Sequence, residues 1–266
     1  MTTRDIKQSF WRSPALPFAE LRSTHNSTQA YKLHRHAQFS LGAIVDGETH
    51  TLCNGENYHL HTGDLVLIAP EVAHSCNPVT GARSYHMLYL DNDWCLAQRG
   101  LQQGQISCTQ TVIRDANLFA QFMQIVALMH DNATPALPDR LSALFMALPG
   151  ISVSPADMND PRSRDVLGRF SADLQTPPSL DELASEFCLR KETLIRQMKQ
   201  ATGLTPGALL NNVRVEFAKT RLRAGEEITD VGYQSGFADQ SHFHRTFVSY
   251  TASTPRQYAR SISDNN

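Results

Sequence analysis

Histidine is the residue type in this 266-residue chain best suited to hold a metal or a polar ligand, and nine of the eleven histidines lie at or before His130. An imidazole offers a lone pair to a cation or a hydrogen bond to a small molecule. The first half is therefore where a ligand or metal site is to be sought. His34 and His36 flank Arg35, and His74 follows a run of apolar residues. His86 alternates with Ser84 and Leu88 on one strand face, which places it as a candidate for the same pocket; His59 and His61 flank a turn and are expected to be exposed. Cysteine adds little, because Cys53, Cys76, Cys95, Cys108 and Cys188 are scattered without a C-x-x-C spacing. Neither a disulfide framework nor a Cys-based zinc ribbon is expected, and reduced thiols are the default. Cys76 would be a further soft donor if a metal did bind. Arg83 is the single arginine picked out as a partner for a carboxylate, so the effector's charge is left open.

The elements that must position these residues begin as short extended runs between turn signals. Gln38–Val45 is followed by Asp46-Gly47, and Glu48–Leu52 by Asn54-Gly55. Both dipeptides favour hairpins, because Gly, Asn and Asp tolerate the positive φ of tight turns. Asn57–His61, a Thr62-Gly63-Asp64 turn, Leu65–Ala69 and Ser84–Leu90 continue the series. Five or more strands at this spacing imply an antiparallel sandwich or small barrel.

After residue 110 the period changes. Leu118, Phe119, Phe122, Ile125, Val126 and Met129 form one stripe of an amphipathic helix over about 114–130, and Leu141, Leu144, Phe145 and Leu148 a second stripe. Core packing explains both; a dimer seam over 114–148 is the other reading, because an exposed apolar stripe needs a partner. Residues 149–164 read as a linker, after which Val166, Leu167, Phe170 and Leu174 start a helical region.

The last ninety residues repeat themselves. Leu183-Ala184 and Cys188-Leu189 match Val231-Gly232 and Gly236-Phe237 at an offset of 48, while Leu194, Arg196, Met198, Thr202, Thr205 and Pro206 match Phe243, Arg245, Phe247, Thr251, Thr254 and Pro255 at 49. Each copy reads as helix, tight turn, helix. Ser179 and Glu182 form an S-x-x-E capping box for the first. Thr205-Pro206 starts a long helix expected to bury Leu209, Val213, Phe217 and Leu210, and Asp239 caps the last reading helix. Two helix-turn-helix units joined by one rigid spacer can sit on one duplex face about one DNA turn apart, since the major groove accepts a helix.

With these residues in view, the C-terminal hundred residues resemble the DNA-binding domain of the AraC/XylS family of bacterial transcription regulators. The resemblance rests on Leu180–Ala184, Leu194-Ile-Arg196, Thr202–Pro206, Val213-Arg-Val215 with Ala218, and above all Gly236–Phe247 followed by Thr254–Tyr258. Cys188 stands where the family has a turn glycine, Arg190 for a Ser-type cap, Gly232 for an alanine and Thr251-Ala252 for an aromatic-glycine pair. By the family's geometry Glu192, Thr193, Ile195 and Arg196 face DNA in the first copy, and Gln240, Ser241, His244 and Arg245 in the second. Arg can bond guanine and Gln adenine bidentately; Lys191, Lys199 and Arg190 suit phosphates.

His34-Arg-His36, Gly63–Pro70, His74 and Asn77 resemble the two motifs of the cupin barrel, the family's usual effector domain. In metal-binding cupins a Glu a few residues after the first histidines completes the ligand set; here Ser40 and Leu41 stand there. The resemblance implies an effector pocket at His34, His36, His74 and His86. No cofactor is expected, and any divalent metal would sit at His34, His36 and His74.

Composition fits this reading. Residues 161–266 carry 14 Lys/Arg against 12 Asp/Glu, and residues 1–160 carry 10 against 14. The charge asymmetry permits nucleic-acid binding in the second half without demanding it. The start of the chain lacks an export signal and no stretch reaches the roughly 20 apolar residues of a membrane helix, so the expected location is the cytoplasm. The expected fold is α+β and multidomain: a jelly-roll-like antiparallel barrel over 1–110, linker or dimerisation helices over 111–160, and an all-α double helix-turn-helix domain over 161–266. The expected function is a non-enzymatic, dimeric transcription regulator, biased toward activation. Its partners would be promoter DNA, a small-molecule effector and, for an activator, RNA polymerase. The rivals are a cupin metalloenzyme with a helical appendage and a non-specific architectural DNA binder.

Overall fold

The computed structural model describes residues 7–155 and 161–260. Every strand pairing in the first part is antiparallel. Strands β1 (Lys7–Arg12), β2 (Ala19–Ser27), β8 (Arg83–Leu90), β3 (Phe39–Asp46), β6 (Leu65–Ile68) and β10 (Val112–Ile113) form one sheet in that order. A second sheet runs β5 (Glu56–Leu60), β4 (Thr49–Cys53), β7 (His74–Pro78), and β9 (Gln105–Cys108) pairs with β11 (Ile151–Ser154). Asn54 and Gly55 both take positive φ, as their hairpin requires. At Asp46-Gly47 only the glycine does; a Cβ there would lie 2.8 Å from the Ala82 carbonyl oxygen, so close backbone approach is what demands it.

Strand alternation divides the barrel's two interiors. Tyr85, Met87 and Tyr89 of β8 pack with Ile44, Leu60, Val66 and Ile68 between the sheets. Leu88 and Leu90 face the opposite way, toward the helices.

Those helices are α1 (Asn92–Gln98), α2 (Ala116–His130) and α3 (Leu137–Ala147). Asp115 caps α2 by accepting from the Asn117 and Leu118 N–H groups. The α2 stripe of Leu118, Phe122, Ile125, Val126 and Met129 and the α3 stripe of Leu141, Leu144, Phe145 and Leu148 are buried together with Phe39, Leu41 and Leu88. The stripes are thus the barrel's own second core, not a face left for a partner. The linker expected over 149–164 is also only partly one: Ile151–Ser154 pairs with β9, and helix α4 starts at Pro161. Residues 156–160 lie outside the described residues.

The second part is helical: α4 (Pro161–Ala172), α5 (Leu180–Glu186), α6 (Lys191–Thr202), α7 (Pro206–Arg223), α8 (Ile228–Gln234), α9 (Gln240–Thr251) and α10 (Pro255–Ala259). The repeat is visible bond by bond. Thr202 Oγ1 donates to the Met198 carbonyl at 2.7 Å, and Thr251 Oγ1 to the Phe247 carbonyl at 2.8 Å. Thr205 and Thr254 cap the helices that follow, each before a proline. Leu194 and Met198 are buried like their counterparts Phe243 and Phe247. Cys188 and Gly236 share a positive φ in the two turns, and Gly203 and Ala252 share one at the ends of the reading helices. Arg190 makes no side-chain cap, whereas Asp239 accepts from the His242 N–H. Helix α7 differs from expectation in its buried face: Leu209, Asn212, Val215, Ala218 and Leu222 are inside, while Val213 and Phe217 are half-buried.

Candidate nucleic-acid interface and effector pocket

Because Leu194 and Met198 in α6, and Phe243 and Phe247 in α9, turn inward at helical spacing, the opposite faces must turn out. Lys191, Glu192 and Arg196 are exposed on α6, with Thr193 and Ile195 half-buried; Gln240, Ser241 and Arg245 are exposed on α9, with His244 half-buried. Neither face is buried against the other, so both are open to a groove. Lys191 is paired with Asp181 at 2.8 Å, which raises its pKa through that hydrogen bond. Gln240 Nε2 donates to the Thr229 carbonyl at 2.9 Å, and a Cβ on Gly232 would lie 2.9 Å from both that nitrogen and the Phe243 ring. Glycine at 232 therefore lets α9 seat closely on α8. Arg256 and Arg260 share a groove with Gln240 and His244, a juxtaposition the repeat pattern did not single out.

In the barrel, His34 and His74 meet through an isolated β-bridge, and His36 joins them. One ring nitrogen from each lies within 4.8 Å of the others. The Nδ1–H groups of His34, His36 and His74 donate to the carbonyls of Lys32, Gln38 and Val72 at 2.8, 3.0 and 2.9 Å. That fixes each tautomer and leaves Nε2 as the accepting lone pair, which on His36 has Ser40 Oγ 3.4 Å away. Burial first, and the neighbouring imidazole second, push His34 down to about 3 and both His36 and His74 well below the ordinary range. Three neutral acceptors converge. By number these donors match a tetrahedral zinc site with one open position. By charge the surroundings oppose a cation, because Arg22 and Lys219 line the same chamber as His34 and His36, and a Ser40 hydroxyl rather than a carboxylate lies beside His36.

His86 does not join them. It lies on the helix-facing side of β8, where Ser23 Oγ is 2.8 Å from His86 Nδ1 and 3.0 Å from His130 Nε2, with His25 alongside. It shares a strand face with Ser84 and Leu88, and that face points to α2 rather than into the pocket. His59 and His61 are exposed beside Glu48, as expected. Arg83 is buried but occupied, donating to the carbonyls of Gln29 and Cys76. Cys76 accepts from Thr51 Oγ1 instead of facing the triad.

The pocket is roofed by the helical domain. The Lys32 N–H donates to the Ser249 carbonyl at 2.8 Å, and Arg223 meets Glu20 at 2.9 Å. Phe10 of β1 packs edge-on against Tyr258 at 5.0 Å, inside the second helix-turn-helix core. A chamber of about 30 Å³ is closed by Arg22, Tyr31, His34, His36 and Tyr89 from the barrel and Asn212, Glu216 and Lys219 from α7. It adjoins a cleft of about 540 Å³ between Arg35–Gln38 and an apolar flank made by Leu167 of α4, Leu174 just beyond it, and Val213 and Phe217 of α7. Arg22, Tyr31, Tyr89 and Lys219 escaped sequence reasoning; the β-alternation of Glu20, Arg22 and Thr24 was the available signal.

Comparison with known proteins agrees with this architecture. The AraC-like ligand binding domain family matches residues 19–149, and a helix-turn-helix domain family matches residues 183–261. The transcriptional activator RhaS of Citrobacter koseri is 28% identical over 235 residues, 82% of this chain and 84% of that protein; the Klebsiella pneumoniae RhaS is 27% identical over the same shares. Wild-type ToxT from Vibrio cholerae, solved with an unsaturated fatty acid bound, superposes with a TM-score of 0.59 at 16% identity, covering 96% of this chain and 94% of that one. That last likeness concerns the fold. The class is an effector-controlled, DNA-binding transcription regulator rather than an enzyme. The chain belongs to the AraC/XylS family.

Proposed function

We propose that this regulator activates transcription, working in the cytoplasm as a dimer that contacts RNA polymerase beside its promoter site. Support for the sign comes from RhaS, an activator aligned along 82% of the chain. Arg196 and Arg245 read base edges, assisted by Glu192, Thr193, Ile195, Gln240, Ser241 and His244, while Lys191 holds phosphate. A small-molecule effector enters the seam between barrel and α7, where His34, His36 and His74 act as hydrogen-bond acceptors without a metal.

The observation that carries this reading is the pair of helices α6 and α9, each exposed on the face opposite its buried residues, with the 18-residue helix α7, a rod of about 27 Å, between the two helix-turn-helix units in the chain. A rod of that length, with a helix width added on either side, is of the order of the roughly 34 Å between successive major grooves. The roofed pocket supplies control: an effector that fits one arrangement of barrel and α7 better than another shifts the population between them.

Footprinting of the full chain on the promoter regions of its own genome tests it. A defined protected site whose occupancy changes with a cell extract's small-molecule fraction is expected. Uniform protection of every fragment would instead indicate an architectural binder.

A further inference from the structure

We propose that the effector is a carboxylate, and that Arg22 is the residue that binds its charged head. This rests on the effector-controlled reading above and names the chemistry of the same seam.

Arg22 is 3% exposed, yet its Nε and Nη2 atoms have no hydrogen-bond partner among the described residues. Tyr89 is its side-chain hydrogen-bond partner. The rest of its surroundings are aromatic: the guanidinium carbon lies 5.2 Å from the Tyr31 ring centre and 5.8 Å from those of Phe10 and Tyr85. Aromatic faces soften the burial of a cation but do not replace a counter-ion. A guanidinium out of water is costly unless an anion accepts from it.

Both carboxylates lining the chamber are already committed. Glu20 is held by Arg12 at 2.7 Å and by Arg223 at 2.9 Å, and Glu216 by Lys219 at 2.9 Å. Of the cations lining the chamber, Arg22 keeps two unpartnered donors, Nε and Nη2, on a planar fork, the geometry that a carboxylate fills bidentately. The chamber of about 30 Å³ admits a head of that size and little more. The molecule's body then lies in the adjoining cleft, whose lining shares His36, Asn212 and Glu216 with the chamber. There the apolar side chains of Leu167, Leu174, Val213 and Phe217 receive carbon. Such a molecule touches the barrel and α7 at once, so its binding favours the docked arrangement.

Calorimetric titration of the full chain with benzoate and hexanoate, each against its uncharged amide, tests the assignment. Both carboxylates are expected to bind at least tenfold more tightly than benzamide and hexanamide. Arg22→Gln should remove that difference, and Arg22→Lys, which keeps the charge, should retain part of it. Equal binding of acid and amide by the unaltered protein, absence of carboxylate binding, or an undiminished preference in Arg22→Gln overturns the proposal. Inorganic phosphate competing as strongly as benzoate overturns the carboxylate assignment. The first comparison uses the unaltered protein, so it stands even if Arg22→Gln fails to fold. A chain that protects a defined promoter site but ignores carboxylates fails here and keeps its regulatory function. One that binds carboxylates yet protects no defined site does the reverse.

Discussion

Asn212 of α7 and Arg35 of the histidine loop exchange two hydrogen bonds: the Arg35 N–H donates to Asn212 Oδ1 at 2.9 Å, and Asn212 Nδ2 donates to the Arg35 carbonyl at 2.9 Å. The side-chain amide thus imitates a strand partner, and it does so between the two histidines that line the chamber. The pair ties the pocket's rim directly to α7, the helix between the two helix-turn-helix units.

Replacing Asn212 with Leu leaves both backbone groups of Arg35 without their partner at a largely buried seam. An unmet buried donor or acceptor costs about 1–3 kcal/mol. Hydrogen exchange should show faster exchange over residues 31–36, with the α6 and α9 cores still protected. Unchanged protection at the loop would mean that the seam is held elsewhere.

Arg196 and Arg245 occupy equivalent places in the two copies. Alanine at either position should relax base preference at one site in its own half of the operator, at ~1–3 kcal/mol. Selection from a randomised duplex measures this directly. Uniform weakening on all sequences would assign both side chains to phosphate.

Ala252 ends α9 with φ +49°, where its counterpart Gly203 ends α6 with φ +75°. A β-carbon in the left-handed region costs about 1 kcal/mol. Ala252→Gly should therefore raise the melting temperature. Gly203→Ala should lower it by more, since the added Cβ would lie 2.5 Å from the Cβ of Ala73 across the seam. A melting curve for Ala252→Gly that does not move upward would contradict the repeat-based account of this cap.

Burial, together with the charges of His130 and His25, lowers His86 to about 4 from 6.5. The folded protein then resists a proton that the unfolded chain accepts. The associated stability is complete above pH 6.5 and is lost as pH falls toward 4, at ~1.4 kcal/mol per unit. Denaturant titrations across that window should show a shallower loss for His86→Asn. An identical slope would place the acid sensitivity on other groups.

Much of this architecture is legible in the chain. The duplicated pattern, its caps at Ser179, Thr205 and Asp239, and the Asn54-Gly55 hairpin are local signals, and local physics decides them. What escaped is non-local. Strands β1 and β2 carry Phe10, Arg12, Glu20 and Arg22, charged residues mixed with apolar ones, and their meaning depends on a helical domain more than two hundred residues away supplying Tyr258 and Arg223. His86 showed its strand face correctly, but which side of a sheet holds the pocket is set by tertiary packing. The α2 stripe likewise announced burial without saying that the partner was the barrel itself.

The central claim is that one chain places two readers on one side of a duplex. Hydroxyl-radical footprinting of the full chain on its operator measures it most directly. For each protomer two protected patches about 10 base pairs apart on the same face are expected, one weakened more in Arg196→Ala and the other in Arg245→Ala. A single patch for each protomer, or paired patches that weaken equally under either substitution, would contradict it.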